Sequence, residues 1–402
     1  MTPWLRRVAS GALLLSAGAL YAHGRDREFV ARPYLAVAGT GRLAVRGFTR
    51  TPERWSVVPI LPGSPYGQEA APTTRHQVVL DRLPSDRTVE VEVVADGRPV
   101  DGGRLRLRTD PGPAAPWLDF VVVGDSGGAP DRFEEFFGKT TFQGAYLHPE
   151  RLAMRMSEVR PQLVLHGGDV VDPRGERDGY ARAFFRPFGP LLATAPVAAA
   201  IGERDLESED GLPFLDVFGR TGSPPLSEGK YGSFDYGPLH VAVLDSNEAD
   251  ADLGSRQAQW LEADLRASTR PWKVALTHVP LWFSSREQRE ARTRRQQELC
   301  DALRVACERG GASVVFAAHH PWYERSPPVN GVVHVVTGGG GSRLSAYDPG
   351  AYAFAASYFH FVSVHIEGDA MTIRPLRETG QEIARETPQG VEPGGVRIER
   401  RR

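Results

Sequence analysis

The stretch Leu118-Asp-Phe-Val-Val-Val-Gly-Asp-Ser-Gly-Gly128 joins a nearly unbroken apolar run to a glycine-flanked aspartate. A run without alternation suits a strand buried on both faces. Similar runs recur at Gln162-Leu-Val-Leu-His, Pro196-Val-Ala-Ala-Ala-Ile, Leu239-His-Val-Ala-Val-Leu, Trp272-Lys-Val-Ala-Leu-Thr, Ser313-Val-Val-Phe-Ala-Ala and Val332-Val-His-Val-Val-Thr. Helical patterns at 149–159, 256–267 and 292–309 fall between them. Strands alternating with helices predict an α/β layered domain, assigned to residues 117–385. Phe361-Val-Ser-Val-His-Ile and Ala370-Met-Thr-Ile-Arg-Pro read as a closing hairpin.

Upstream the period changes to two. Pro33-Tyr-Leu-Ala-Val, Arg42-Leu-Ala-Val-Arg-Gly-Phe, Thr74-Arg-His-Gln-Val-Val-Leu, Thr88-Val-Glu-Val-Glu-Val-Val and Arg104-Leu-Arg-Leu-Arg-Thr alternate apolar and polar residues. Short alternating runs divided by turn residues predict a small all-β sandwich over residues 30–110. It contains no Asp/His cluster, so support or partner contact is its expected role. Thr109-Asp-Pro-Gly-Pro-Ala-Ala-Pro116 reads as a linker.

The chain carries 48 basic and 50 acidic residues, a formal charge of −2, which argues against a nucleic-acid partner. Arg6 and Arg7 precede an apolar run from Val8 to Ala22, then small and polar residues. That order predicts a signal peptide or N-terminal membrane anchor over residues 1–24, and so an extracytoplasmic location: secreted, periplasmic or membrane-tethered. Cys300 and Cys307 sit two helical turns apart, about 10 Å, which suits core packing on one helix face and not a disulfide. The charged, Gly/Pro-rich residues 386–402 read as a flexible tail.

The chemistry lies after the buried runs. They end in Gly124-Asp125-Ser126, Gly168-Asp169-Val-Val-Asp172, Gly202-Glu203-Arg204-Asp205, Thr277-His278 and Ala318-His319-His320-Pro321. Ligands of open α/β sheets bind beyond the carboxyl ends of strands. Five such ends deliver Asp125, Asp169, Glu203, His278 and His319 to one edge. Mixed oxygen and imidazole donors suit Mn, Zn or Fe.

In their order these motifs resemble the calcineurin-like metallophosphoesterases, whose members read G-D-x-[GH], G-D-x-x-[DY], G-N-H-[ED], a lone His and G-H-x-H. Lys230-Tyr-Gly-Ser-Phe-Asp-Tyr-Gly237 to Leu244-Asp245-Ser246, Gln259-Trp-Leu, Arg270-Pro-Trp-Lys, Tyr323-Glu-Arg and Thr337-Gly-Gly-Gly-Gly341 are similar to the purple acid phosphatase branch. The resemblance implies a β-sandwich flanked by helices, preceded by a fibronectin type III-like domain. It also implies one or two divalent or trivalent metal ions, a metal-activated hydroxide and a small phosphorylated substrate, here a phosphomonoester. Asp125, Asp169, His278 and His319 match family ligands, with Asp169 in the bridging place.

Several positions depart from that pattern. Glu203 replaces a ligand Asn, Arg204 the catalytic His, Pro321 the second His of the last motif, and Gly127 a His that some members use. Asp172 stands where the purple enzymes place a ligand Tyr, so no purple colour is expected. One metal position keeps Asp169, Glu203, His278 and His319; the other keeps Asp125 and Asp169, with Asp172 as a third ligand at most. Asp205 and His320 are further candidates as ligands or supporting donors. Arg204 is assigned as the catalytic anion-binding residue, or else pairs with Glu203 or Asp205 and fills the site. These departures leave an alternative open: a catalytically degenerate ligand-binding or scaffold module. Loops 129–146, 220–229 and 283–290 are expected to set specificity, with Arg132, Phe133, Trp282 and Phe283 as contacts.

Overall fold

The computed structural model describes residues 30–60, 63–127, 142–219, 230–247, 251–282, 292–347, 353–387 and 390–400. The expected signal peptide or anchor, and most of the three expected specificity loops, lie outside these residues. Among the described residues no helix is long and apolar enough to cross a membrane.

Strands β1 (Ala31–Gly39), β2 (Arg42–Glu53), β3 (Trp55–Pro59), β4 (Gly67–Gln68), β5 (Thr73–Leu80), β6 (Thr88–Ala95) and β7 (Arg98–Arg108) come first. Then follow β8 (Trp117–Val123), helix α1 (Phe142–Val159), β9 (Leu163–His166), β10 (Val197–Ala199) and the one-turn α2 (Glu203–Leu206). The second half holds β11 (Gly232–Tyr236), β12 (Leu239–Val243), α3 (Ala251–Ala267), β13 (Trp272–Leu276), α4 (Arg294–Gly310), β14 (Val314–Ala317), β15 (Tyr323–Arg325), β16 (Val333–Thr337) and β17 (Phe354–Ala356). The chain closes with β18 (His360–Glu367), β19 (Ala370–Arg377), β20 (Ala384–Thr387), β21 (Gly390–Pro393) and β22 (Val396–Glu399).

Two large sheets share one core. The first runs β22-β19-β18-β8-β9-β10-β1-β2-β5, the second β11-β12-β13-β14-β16-β15-β17. Their apolar faces meet in one cluster, where Phe120 and Phe316 pack edge to face at 6.2 Å. Each outer face carries helices: α1 with Arg186–Leu192 and Leu212–Phe218 on one side, α3 and α4 on the other. Strands β8, β9, β10, β13 and β14 therefore lie between two apolar layers, which is why they read as continuous runs. Helix α4 starts where Thr293 Oγ1 accepts the Gln296 N–H at 3.1 Å, and ends on Gly311 in the left-handed conformation. Such an N-cap stabilises a helix by about 1 kcal/mol. Cys300 and Cys307 are free thiols on its buried face.

Two expectations need correction. The N-terminal β region forms two sheets, but β1 pairs in parallel with β10 (Ala36 opposite Val197), so β1-β2-β5 continues the large sheet. Only β4-β3-β6-β7 stands apart, packed over the same core. The expected linker, residues 109–116, thus does not separate two bodies: Asp110 Oδ1 accepts the Gly237 N–H at 2.8 Å. Residues 386–402 are not simply a tail. Strand β22 pairs with β19, and Val396 and Ile398 pack on the core, a short alternation hidden among charged and glycine residues. The β18–β19 hairpin forms as expected, closing on Glu367 opposite Ala370.

Candidate metal centre

Parallel pairing puts the carboxyl ends of β8, β9, β10, β13 and β14 along one rim. The backbone turns sharply there. Asp125, Asp169 and His319 have φ of 54°, 50° and 65°, the left-handed region that non-glycine residues avoid. Each costs on the order of 1 kcal/mol or more, and such strain gathers at functional sites. Cross-loop hydrogen bonds hold them: Asp125 N–H to Gly168 O (3.0 Å), Gly127 N–H to Asp169 O (3.2 Å) and Ser342 N–H to Asp125 O (3.0 Å). Glycine is obligatory at 202, where a Cβ would lie 2.2 Å from Asp169 Oδ1.

The five predicted ligands come together. Glu203, His278 and His319 form one group of converging donor atoms; Asp125, Asp169 and His278 form another. His278 is fully buried, and its Nδ1–H donates to Gly167 O at 2.8 Å, so Nε2 faces the site. That Nε2 lies 2.6 Å from Glu203 Oε2, outside hydrogen-bond geometry, and 3.5 Å from Asp169 Oδ1. His319 Nδ1 is 3.0 Å from Glu203 Oε1. Burial pushes the Asp125 and Asp169 carboxyls up, against the charge of His278. Burial would lower His278, but Asp169 and Glu203 hold it well above the usual histidine range. Burial would raise Glu203, but His278 holds it low. Three carboxylates crowded round a buried imidazole whose inward nitrogen has no hydrogen-bond partner are a donor set for a cation, and they fit Mn, Zn or Fe.

The remaining candidates are placed differently. Asp205 is fully buried and accepts Tyr180 O–H (2.8 Å), Gly202 N–H (3.1 Å) and Val170 N–H (3.4 Å). It ties the Asp169 and Glu203 loops together from behind and is no ligand. His320 is buried and stacks on Trp322 at 4.7 Å, outside both donor groups. Asp172 lines the open cavity of about 550 Å³ over the centre, but belongs to neither group. Arg204 lines the same cavity. Its N–H donates to Asp169 Oδ1 at 2.9 Å. Its guanidinium meets Glu207 Oε1 at 3.0 Å and Asp172 Oδ1 at 4.0 Å, and not Glu203 or Asp205 as the filling alternative required. Trp282 lines a separate cavity with Arg304.

Two features escaped the sequence reading. Arg343 lines the cavity, exposed, with no hydrogen bond or ion pair among the described residues; with Arg204 it opposes the rise that burial gives Asp172. Its signal was the position just past Gly341. Beneath the ligands, His166 Nε2–H donates to Ser126 Oγ (2.8 Å) and Nδ1 accepts the Gly168 N–H (3.1 Å). Burial, with His278 nearby, lowers its pKa to about 3, so it stays neutral.

The profile of the family described as calcineurin-like phosphoesterase matches residues 118–323, just over half of the chain. The protein belongs to that family. Within it, the chain falls in the purple acid phosphatase-like branch. It is 35% identical over 123 residues to purple acid phosphatase 22 of Arabidopsis thaliana, covering 28% of this chain and 27% of that protein. It is 26% identical over 218 residues to probable inactive purple acid phosphatase 27 of the same plant, covering 46% and 35%. The chain thus spans about a third or less of these relatives. The structure of purple acid phosphatase PPD1 from yellow lupin superposes with a TM-score of 0.72 at 18% identity, over 92% of this chain and 74% of that one, a likeness of fold.

Proposed function

We propose that the protein is a metal-dependent phosphoesterase that hydrolyses phosphomonoesters outside the cytoplasm. The carrying observation is the convergence of Glu203, His278 and His319, and of Asp125, Asp169 and His278, at one centre beneath an open cavity. A cation held there supplies Lewis acidity and makes water nucleophilic near neutral pH. The chain's own residues do the rest. The Gly167 carbonyl fixes the His278 tautomer, and the Arg204 N–H orients Asp169. The guanidinium groups of Arg204 and Arg343 supply positive charge at the cavity wall for a phosphate dianion. The basic-then-apolar order from Arg6 to Ala22 supports export.

The competing reading, a binding or scaffold module, draws on the engagement of Arg204 by Glu207 and Asp172 and on the donorless Pro321. Metal-free protein reloaded with Mn, Zn or Fe should hydrolyse an aryl phosphate, and His278→Ala should abolish turnover. No turnover with any metal between about pH 5 and 9, a range centred on the titration of metal-bound water near 7, supports the module instead.

A further inference from the structure

Both donor groups depend on His278. Its Nδ1 is committed to Gly167 O, which leaves Nε2 alone to face the centre. A neutral imidazole nitrogen has one lone pair and binds one ion, whereas a carboxylate can bridge two. The two groups therefore cannot both be complete at once.

Distances decide which group is served. Donors bonded to one ion at about 2.0–2.2 Å stand roughly 3 Å apart. Glu203 and His319 approach at 3.0 Å, and His278 Nε2 is nearer to Glu203 (2.6 Å) than to Asp169 (3.5 Å). With His278 on that side, the second group is left with Asp125 and Asp169 alone. Asp172 lines the cavity over the centre but belongs to neither donor group. Pro321 has no side-chain donor. Gly127 cannot be exchanged for a ligating residue, because a Cβ there would lie 2.4 Å from Asp172 N and 2.6 Å from Val171 C.

Asp125 has other work. Its Oδ2 accepts the His319 N–H at 2.7 Å, and His319 has the strained φ of 65°. That oxygen also lies against Gly338, where a Cβ would stand 2.7 Å away. Asp125 thus clamps the loop that presents His319.

We propose that the centre holds a single metal ion on Asp169, Glu203, His278 and His319, and that Asp125 is a positioning residue acting through His319. The proposal rests on the metal-centre reading and departs from the two-ion pattern that the family resemblance implies.

The full chain, stripped and reloaded with Mn(II) or Zn(II), tests it by elemental analysis and titration calorimetry. One equivalent per chain is expected, with the isolated-ion hyperfine pattern in the Mn(II) spin-resonance spectrum. Two equivalents, none, or an exchange-coupled spectrum overturns it. Asp125→Asn still accepts the His319 N–H but offers a neutral oxygen, so metal affinity should stay within about threefold. Asp125→Ala loses the clamp and should bind roughly 10–100-fold more weakly, as supporting residues do. Equal damage in the two variants would make Asp125 a ligand and sink its positioning role. If the alanine variant fails to fold, wild-type stoichiometry and the asparagine variant still decide. One ion without hydrolysis would count against the phosphoesterase reading alone. Two ions with hydrolysis would count against this proposal alone.

Discussion

Arg204 stands at the motif position for which the family resemblance implies a catalytic His, yet a guanidinium stays charged at any working pH. Its ion pairs with Asp172 and Glu207 raise its pKa further, against the effect of burial. The leaving oxygen must therefore depart without a proton from this residue. Across a series of aryl phosphates, kcat/KM should fall steeply as the leaving group's pKa rises; a flat dependence would reveal another acid. Arg204→Ala should raise KM about tenfold with little change in kcat, the loss of roughly 1.5 kcal/mol of charge-assisted binding. Gly127→Ala should lower the melting temperature, since the added carbon overpacks the backbone at Val171–Asp172 by about 1–3 kcal/mol. The five residues that converge on the centre were legible in the sequence because each directly follows a buried run. Of the residues offered as ligands or supporting donors, Asp205 supports the Asp169 and Glu203 loops and His320 lies outside both donor groups, because neighbours in a loop or a helical turn face different ways. His166 owes its place beneath the ligands to strand pairings that no local pattern announces.

Between elements, His240 on β12 is held by two carboxylates. Its Nδ1 meets Asp235 Oδ1 on β11 at 2.7 Å and its Nε2 meets Asp264 Oδ2 on α3 at 2.8 Å; Arg270 Nε also reaches Asp235 Oδ2 at 3.0 Å. Burial opposes protonation, but the two carboxylates outweigh it and raise the pKa from 6.5 to about 9. The folded state thus holds this proton more tightly than the unfolded chain. The stabilisation is whole below about pH 6.5 and is lost as pH rises through about 9, a change on the order of 3 kcal/mol. Denaturant titrations from pH 6 to 10, the span bracketing those two values, should show that decline in the wild type and a much flatter profile in His240→Asn. Equal slopes would remove the linkage. Sequence periodicity located β12 and α3 separately. It carried no sign that α3 would lay Asp264 against β12.

Over the whole molecule, the N-terminal β region and the region matched by the calcineurin-like phosphoesterase family share a sheet and a core. A chain beginning near residue 117 would expose the edge of β10 and the faces of Leu35, Val45 and Trp55's partners. Such a truncation should be insoluble or molten by near-UV circular dichroism, and a cooperative melt from it would show that the core divides. The sequence announced the layered class and the all-β start, because each has its own period. It did not announce their fusion, because the parallel match of Ala36 with Val197 is a long-range pairing that neither segment records alone. That match also dictates an order of events on the ribosome. Strand β1 emerges with its edge open and waits for roughly 160 further residues before β10 can cover it. At translation rates of about 5–20 residues per second the wait is about 10–30 s. The nascent chain must be kept from pairing with its neighbours throughout that interval.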